Sequence, residues 1–460
     1  MKYISTRGSI DPVTFKDAVI MGLATDGGLL VPQFIPDVSD KLDAWSGLSY
    51  TELAFEIIHL FADDIPDIDL RRLIDASYSR FADIRVTPIR KVGELYVLEL
   101  FHGPTLAFKD VALQLLGNLF EYILGERGQS LNILGATSGD TGSAAIAGVR
   151  GRENMDIFIM FPKGKTSPIQ ERQMTSVLDT NVHNLEIEGS FDDCQYLLKS
   201  IFSDLAFKDK YQLGAVNSVN WARVLAQIVY YFSGWYQLDS PAKFDVCVPT
   251  GNFGNIFAAY LARRMGLPIN RLILATNANE ILSVFFNTGR YERGEVRFSH
   301  SPAMDIQVAS NFERYLYFRF GESGEKVSEF MQTFNNSGKA EIHTNAAEVD
   351  GIFRASAASD EETVECIRTT FESFGYLADP HTAVGLHVAR KYIQEGIPML
   401  CMATAHPAKF PEVVQRVLPG IQVGHESLDA LKDLPTRKEN LDADVDSVKS
   451  FIVSHQRIPN

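Results

Sequence analysis

The 460 residues suffice for two or three domains of roughly 100–200 residues each, and 45% hydrophobic with 22% charged residues is the balance of a globular chain that buries a sizeable core. A formal charge of −15, from 43 basic and 58 acidic residues, argues against nucleic-acid binding and adhesion to anionic membranes, but leaves room for an anionic small molecule in a locally basic pocket. The start "MKYISTRGSIDPVTF" lacks the apolar centre of a secretory signal, and no stretch approaches the ~20 uncharged apolar residues of a spanning helix. Cys194, Cys247, Cys366 and Cys401 are widely separated with no CxxC pair, so buried thiols in a reducing, cytoplasmic setting are expected.

Residues 1–93 hold turn signals ("TDGGLLVPQFIPD") and amphipathic pieces such as "YTELAFEIIHLFA", read as an N-terminal helical subdomain. From Tyr96 the texture changes. "ELYVLEL" predicts a strand, and apolar pairs recurring every four residues after Lys109 predict a helix. Further strands are expected at "SLNILGAT", "DIFIMFP", "KFDVCVPT", "RLILATN" and "IPMLCMAT". Helices are expected at "GSAAIAGVRG", "SFDDCQYLLKSIFSDLAF", "NWARVLAQIVYYFSGWYQL", "NIFAAYLARRMG", "TAVGLHVARKYIQEG" and "FPEVVQRVL". Short buried strands alternating with helices imply right-handed βαβ units and a largely parallel sheet. Residues 284–360 give no clear pattern, and the acidic stretch 421–460 is read as a C-terminal helix and tail. The region 94–420 is then the α/β part of the chain.

Three polar turns carry the chemistry, and each precedes a helix whose leading N–H groups favour anions. In "VPTGNFGNIF", Gly251, Asn252, Phe253, Gly254 and Asn255 form a cup for one anion; no Lys-Ser/Thr follows, so a nucleotide triphosphate is not indicated. In "LGATSGDTGSAA", Thr137, Ser138 and Thr141 flank two glycines and suit a carboxylate. A third cluster joins Lys163, Lys165 and Arg172 to Asn217, Ser218, Asn220 and Arg223, and suits a second phosphate or carboxylate. There is no HExxH, no GxSxG and no spaced Cys/His set. His102, His381 and His406, near Gly/Pro-rich turns, read as structural hydrogen-bonders, and no metal is expected.

Lys109 in "FHGPTLAFKD" stands at a helix start, a poor place for a solvated cation. A reactive amine, a phosphate cup, a hydroxyl-rich turn and a late hydroxyl in "CMATAHPAKF" together suit pyridoxal phosphate, which needs an amine, an anion site and a partner for its ring nitrogen. The lysine precedes the phosphate loop, the reverse of aminotransferase-type order.

The chain resembles the threonine synthase family, among the fold-type II pyridoxal-phosphate enzymes, in its longer bacterial/fungal branch. The matching strings are "FHGPTLAFKD", "GATSGDTG", "FPKGK", "NSVNWAR", "GNFGN", "SPAMDIQVASNFERYL" and "TAHPAKFPE", in order along nearly the whole chain. The resemblance implies two open, mostly parallel-sheet domains of the tryptophan synthase β-like kind, with 94–420 as the catalytic region of two lobes and the cofactor in the cleft between them. It implies conversion of O-phospho-L-homoserine and water to L-threonine and phosphate, in a monomer or homodimer.

By the same resemblance Lys109 carries the cofactor and shuttles protons, its amine kept neutral by burial and the helix N-terminus. Gly251 to Asn255 hold the cofactor phosphate and Thr404 bonds the pyridine nitrogen. Asp140 stands where many relatives carry an Asn facing the ring hydroxyl, a place where a carboxylate is repelled unless protonated or turned away. Thr137 and Ser138 take the substrate carboxylate. Thr141, Asn217, Ser218 and Arg223 grip the leaving phosphate, Arg223 through a charge-assisted contact. The motifs are shared with a threonine-synthase-like phospholyase releasing 2-oxobutyrate, so the product stays open at this level. A non-catalytic cofactor-binding regulator is disfavoured by the intact lysine and loops.

Overall fold

The computed structural model describes residues 1–342 and 349–456. Thus residues 343–348, within the stretch 284–360, and the last four residues of the segment 421–460 lie outside the described residues. Two sheets organise the chain. The larger runs Phe353–Ala357, Ile269–Thr276, Phe244–Pro249, Met399–Ala403, Leu95–Glu99, Ile89–Val92, parallel throughout except for the last, antiparallel pair. The smaller runs Glu439–Asp442, Val182–Glu188, Met155–Pro162, Leu131–Ala136, Leu213–Gly214 and is wholly parallel. Strands such as Phe244–Pro249 and Met155–Pro162 are buried along their whole length, as sheets covered by helices on both faces require. This is the mostly parallel α/β architecture the alternating pattern predicts.

The predicted helices fall at Lys109–Arg127, Asp140–Val149, Trp221–Gln237, Gly254–Arg264, Pro380–Arg390 and Pro411–Val417. One expected helix breaks in two: Phe191–Ser203 stops at Asp204, whose side chain caps a second helix, Leu205–Lys210. The strand Val182–Glu188 escapes notice in the sequence because "VHNLEIE" mixes polar side chains into a buried strand; Asn184 Nδ2, for one, is satisfied by the Met174 carbonyl at 3.1 Å. The acidic tail is more than a helix and a loose end. Glu439–Asp442 adds an edge strand to the smaller sheet, and Val445–His455 buries Val448 and Ile452 against Cys194, Leu197 and Ile201.

Residues 1–90 form a two-stranded ribbon, Tyr3–Ser5 with Leu30–Pro32, and helices including Tyr50–His59 and Asp67–Tyr78. A Ser49/Glu52 capping box starts the first of these two helices. The fully buried Arg314 fastens this region to the centre: its guanidinium donates to Leu30 O at 3.0 Å, Val219 O at 2.5 Å and Asn311 Oδ1 at 2.5 Å.

The helices Lys109–Arg127 and Asp140–Val149 approach so closely that only glycine fits at their crossing. A Cβ at Gly117 would lie 2.1 Å from Gly148 O, and one at Gly148 would lie 2.5 Å from Leu113 O. Their first residues are Lys109 and Asp140, so this crossing sets the spacing of the two groups. Gly148→Ala is expected to destabilise the fold by about 2 kcal/mol through overpacking, read from urea midpoints. A midpoint equal to wild type would show that the helices separate freely.

Candidate active site

The carboxyl end of the Met399–Ala403 strand feeds directly into the segment that carries Lys109. Phe108 N–H donates to Thr404 O at 2.8 Å, His406 N–H to Leu106 O at 3.0 Å, and Ala107 bridges Ala405. Leu106 takes a positive φ of 60°, which turns the chain into the Lys109 helix. Lys109 Nζ lies 3.5 Å from Asp140 Oδ2, across from the carboxyl end of the smaller sheet's Leu131–Ala136 strand. The site is therefore where the carboxyl ends of the two parallel sheets face each other, the usual ligand position in open α/β folds.

Burial lowers the Lys109 amine below its ordinary value; the Asp140 carboxylate opposes this, while Lys409 and Arg223 reinforce it. Asp140 answers the question raised by its charge. It is buried yet held far below the usual carboxylate range, burial being overridden by the cations Lys409 and Lys109. Lys409 Nζ is 2.8 Å from Oδ1, and Gln170 Nε2 donates to the same oxygen at 2.8 Å. Two ammonium groups and an amide thus compensate the buried carboxylate. Lys409 and Gln170 were missed as site residues, although both lie in strings that carry the resemblance or adjoin them, because nothing in a linear string shows which carboxylate a lysine will meet.

The Gly251–Asn255 turn leads into the helix Gly254–Arg264, which no side chain caps. Phe253, at φ 64°, is buried in the left-handed region and swings its ring against Phe286 and Phe312. A Cβ at Gly251 would lie 2.8 Å from Ala303 O, so only glycine fits against the loop behind it. Asn255 Oδ1 accepts from Tyr230 at 2.6 Å and also from Tyr231, while its Nδ2 is buried without a partner. An uncapped helix start beside an unpaired amide donor fits a phosphate group, and a buried, depressed amine fits a carbonyl cofactor such as pyridoxal phosphate.

The Asn217–Asn220 segment is drawn to the Gly251–Asn255 turn by Ser310 and Asn311. Ser218 Oγ is 2.7 Å from Ser310 Oγ, which donates to Asn252 Oδ1 at 3.1 Å. Asn311 Nδ2 donates to Ser218 O at 3.0 Å and Asn252 O at 3.2 Å. Arg223 is 4% exposed; Nη1 donates to Val216 O at 3.0 Å and Nε is buried without a partner. No carboxylate among the described residues pairs with it, and burial pushes its guanidinium down to about 10.

The remaining expected residues are placed as follows. Thr137 Oγ1 accepts from Gly139 and Gly142 N–H at 3.0 and 2.9 Å, so it shapes the turn while its own proton stays free to donate. Ser138 is exposed and Thr141 half-buried on that turn. Asn217 is exposed, its Oδ1 accepting from Val219 N–H at 3.3 Å. Thr404 is buried, its N–H donating to Thr382 Oγ1 at 3.2 Å. The third cluster does not assemble as expected: Lys163 pairs with Glu188, and Arg172 donates to the carbonyls of Leu431, Lys432 and Leu434, clamping the C-terminal segment. The histidines act as hydrogen-bonders. His102 Nε2 is 2.9 Å from Glu99, and His381 bridges Asp379 and the Ala303 N–H.

Three family models cover the chain: "Threonine synthase N terminus" over residues 2–78, "Pyridoxal-phosphate dependent enzyme" over 81–404 and "Threonine synthase, C-terminal" over 382–452. A threonine synthase of Pseudomonas aeruginosa is 47% identical over 99% of this chain and 98% of its own. The crystal structure of PLP-bound threonine synthase from Brucella melitensis superposes with a TM-score of 0.96 at 44% identity, covering 100% of both chains. That of threonine synthase from yeast does so with 0.94 at 42%, covering 99% of this chain and 98% of the other.

Proposed function

We infer the reaction from one premise: the chain belongs to the threonine synthase family of fold-type II pyridoxal-phosphate enzymes. It is a lyase with threonine synthase activity, and pyridoxal phosphate is its cofactor. Its substrate in our reading is O-phospho-L-homoserine, which with water gives L-threonine and inorganic phosphate. The observation that carries this reading is Arg223, a buried guanidinium that pairs with no carboxylate among the described residues and whose charge adds to the burial that lowers the Lys109 amine. A buried cation held ready in this way calls for an anionic partner, and a phosphoryl group matches its donor fork.

The bound cofactor supplies the electron sink that makes the Cα and Cβ hydrogens of an attached amino acid acidic. We assign the backbone of Gly251, Asn252, Phe253, Gly254 and Asn255 to its phosphate, with Asn255 Nδ2 as a side-chain donor. Thr404 is the hydroxyl for its ring nitrogen, and Asp140 faces its ring as an ionised group. Lys109 is the base. Its amine is depressed by burial, so Nζ takes the proton from Cα and then one from Cβ, returns one at Cγ once the phosphate has left, and returns the other at Cα after water has added. Arg223, with Thr141, Asn217 and Ser218, holds the phosphate as its bond to Cγ breaks. Thr137 and Ser138 orient the substrate carboxylate. The hydroxyl of water ends on Cβ, and its remaining proton leaves with the phosphate.

Residues 1–93, 94–420 and 421–460 are, in this reading, the supporting subdomain, the two-lobed catalytic region and the C-terminal extension. No helix among the described residues is long and apolar enough to cross a membrane. The four cysteines are free and buried, which suits a reducing cytoplasm. Incubating the purified protein with O-phospho-L-homoserine tests the assignment. Threonine and phosphate are expected in equal amounts, whereas 2-oxobutyrate and ammonia in place of threonine would make it a phospholyase.

A further inference from the structure

Lys409 is fully buried, and both of its contacts join segments that frame the cofactor lysine. Its Nζ donates to Thr105 O at 2.7 Å and sits 2.8 Å from Asp140 Oδ1. Thr105 N–H and Oγ1 bond the two oxygens of Asp110, each at 2.8 Å, and Gln173 Nε2 donates to Thr105 O at 3.1 Å. Thr105 belongs to the turn before Lys109, Asp140 to the helix behind the hydroxyl-rich turn, and Lys409 to the short turn after Thr404. One ammonium thus ties together the three segments that meet at the cofactor site.

A buried ammonium loses several kcal/mol of hydration, and a carboxylate partner with further hydrogen bonds is what repays it. Asp140 is that partner, with Gln170 on the same oxygen and Lys109 on the other. We propose that Lys409 is a positioning residue, which holds Asp140 fixed beside the cofactor and, by balancing its charge, sets how readily the Lys109 nitrogen holds its proton. The proposal rests on the cofactor reading above. The charged groups facing this pair are Lys109 and Asp110 on one helix, Arg223 on a second, and His381, which acts on Asp140 from a third.

The sign follows from charge balance. With Lys409 present, the protonated lysine nitrogen, Asp140 and Lys409 sum to +1, and loss of the proton leaves zero. Without Lys409 the same deprotonation leaves a net buried −1, so the proton is held to higher pH. Removing a buried cation whose charge acts on the lysine nitrogen shifts such a midpoint by about 1 pH unit or more.

The experiment is a pH titration of the cofactor's visible absorption in purified holoenzyme, for wild type, Lys409→Met, Lys409→Arg and Asp140→Asn. Lys409→Met is expected to titrate about one unit higher and to release cofactor at least tenfold more readily. Lys409→Arg, which keeps the charge, should return the midpoint toward wild type. A folded Lys409→Met with the wild-type midpoint and affinity overturns the proposal. If Lys409→Met fails to fold, Asp140→Asn/Lys409→Met should restore folding, because no buried carboxylate is then left unpaired. Failure of that double variant where Asp140→Asn alone folds would assign Lys409 a role independent of Asp140, and would also overturn it. A wild-type protein with no visible band would defeat the cofactor reading instead, so the two failures are distinct.

Discussion

Lys109→Ala is expected to remove the visible band of the bound cofactor and to lower kcat/KM for O-phospho-L-homoserine by at least about 10³-fold, on the order of 4 kcal/mol of transition-state stabilisation. The size follows from the single nitrogen doing two jobs. In our reading it is both the amine that joins the cofactor and the base for hydrogens at Cα and Cβ. Its fitness for both comes from burial, which outweighs the opposing carboxylate of Asp140 and disfavours the charged form. The fold should tolerate the change. Asp140 keeps Lys409 at 2.8 Å and Gln170 at 2.8 Å, so no carboxylate is stranded. Spectra, steady-state kinetics and thermal melting of one preparation check all three statements; wild-type turnover by this variant would remove Lys109 from the mechanism.

Arg223→Met should separate function from stability. The guanidinium is buried with one carbonyl acceptor and an unpartnered Nε, and burial pushes it down to about 10. A cation whose folded value is depressed weakens the fold at every pH where it is charged, and the penalty fades only as the pH rises through that value. Replacing it with an apolar side chain of similar length is therefore expected to leave the ligand-free protein as stable as wild type, or more stable by about 1–2 kcal/mol. Catalysis should move the other way, with kcat/KM falling by about 100-fold or more, close to 3 kcal/mol for truncating one partner of a desolvated charge pair. Denaturation midpoints and kinetics give the two numbers. A destabilised variant that kept full activity would make Arg223 a structural residue.

Much of this was legible in the chain. The alternating apolar runs located the parallel strands, because a buried strand such as Phe244–Pro249 must be apolar along its whole length. Lys109 stood out because a helix start is the wrong place for a solvated cation. What stayed hidden were pairings set by tertiary contact. Arg172 looked like an anion ligand and proved to be a clamp on three carbonyls. Lys409 looked like one more lysine, and its meaning appears only when Asp140 is seen across from it. Ser310 and Asn311 lay within a quoted string, yet only folding brings them to Ser218 and Asn252. Val182–Glu188 was lost because its polar side chains are buried and satisfied from neighbouring backbone.

The most direct test of the chemistry is to run the reaction in water enriched in oxygen-18 and follow the label by mass spectrometry. Phosphate leaving by cleavage of its bond to Cγ, with water adding at Cβ, puts one labelled oxygen in the threonine hydroxyl and none in the phosphate. Label in the phosphate, or phosphate released without labelled threonine, would contradict the account.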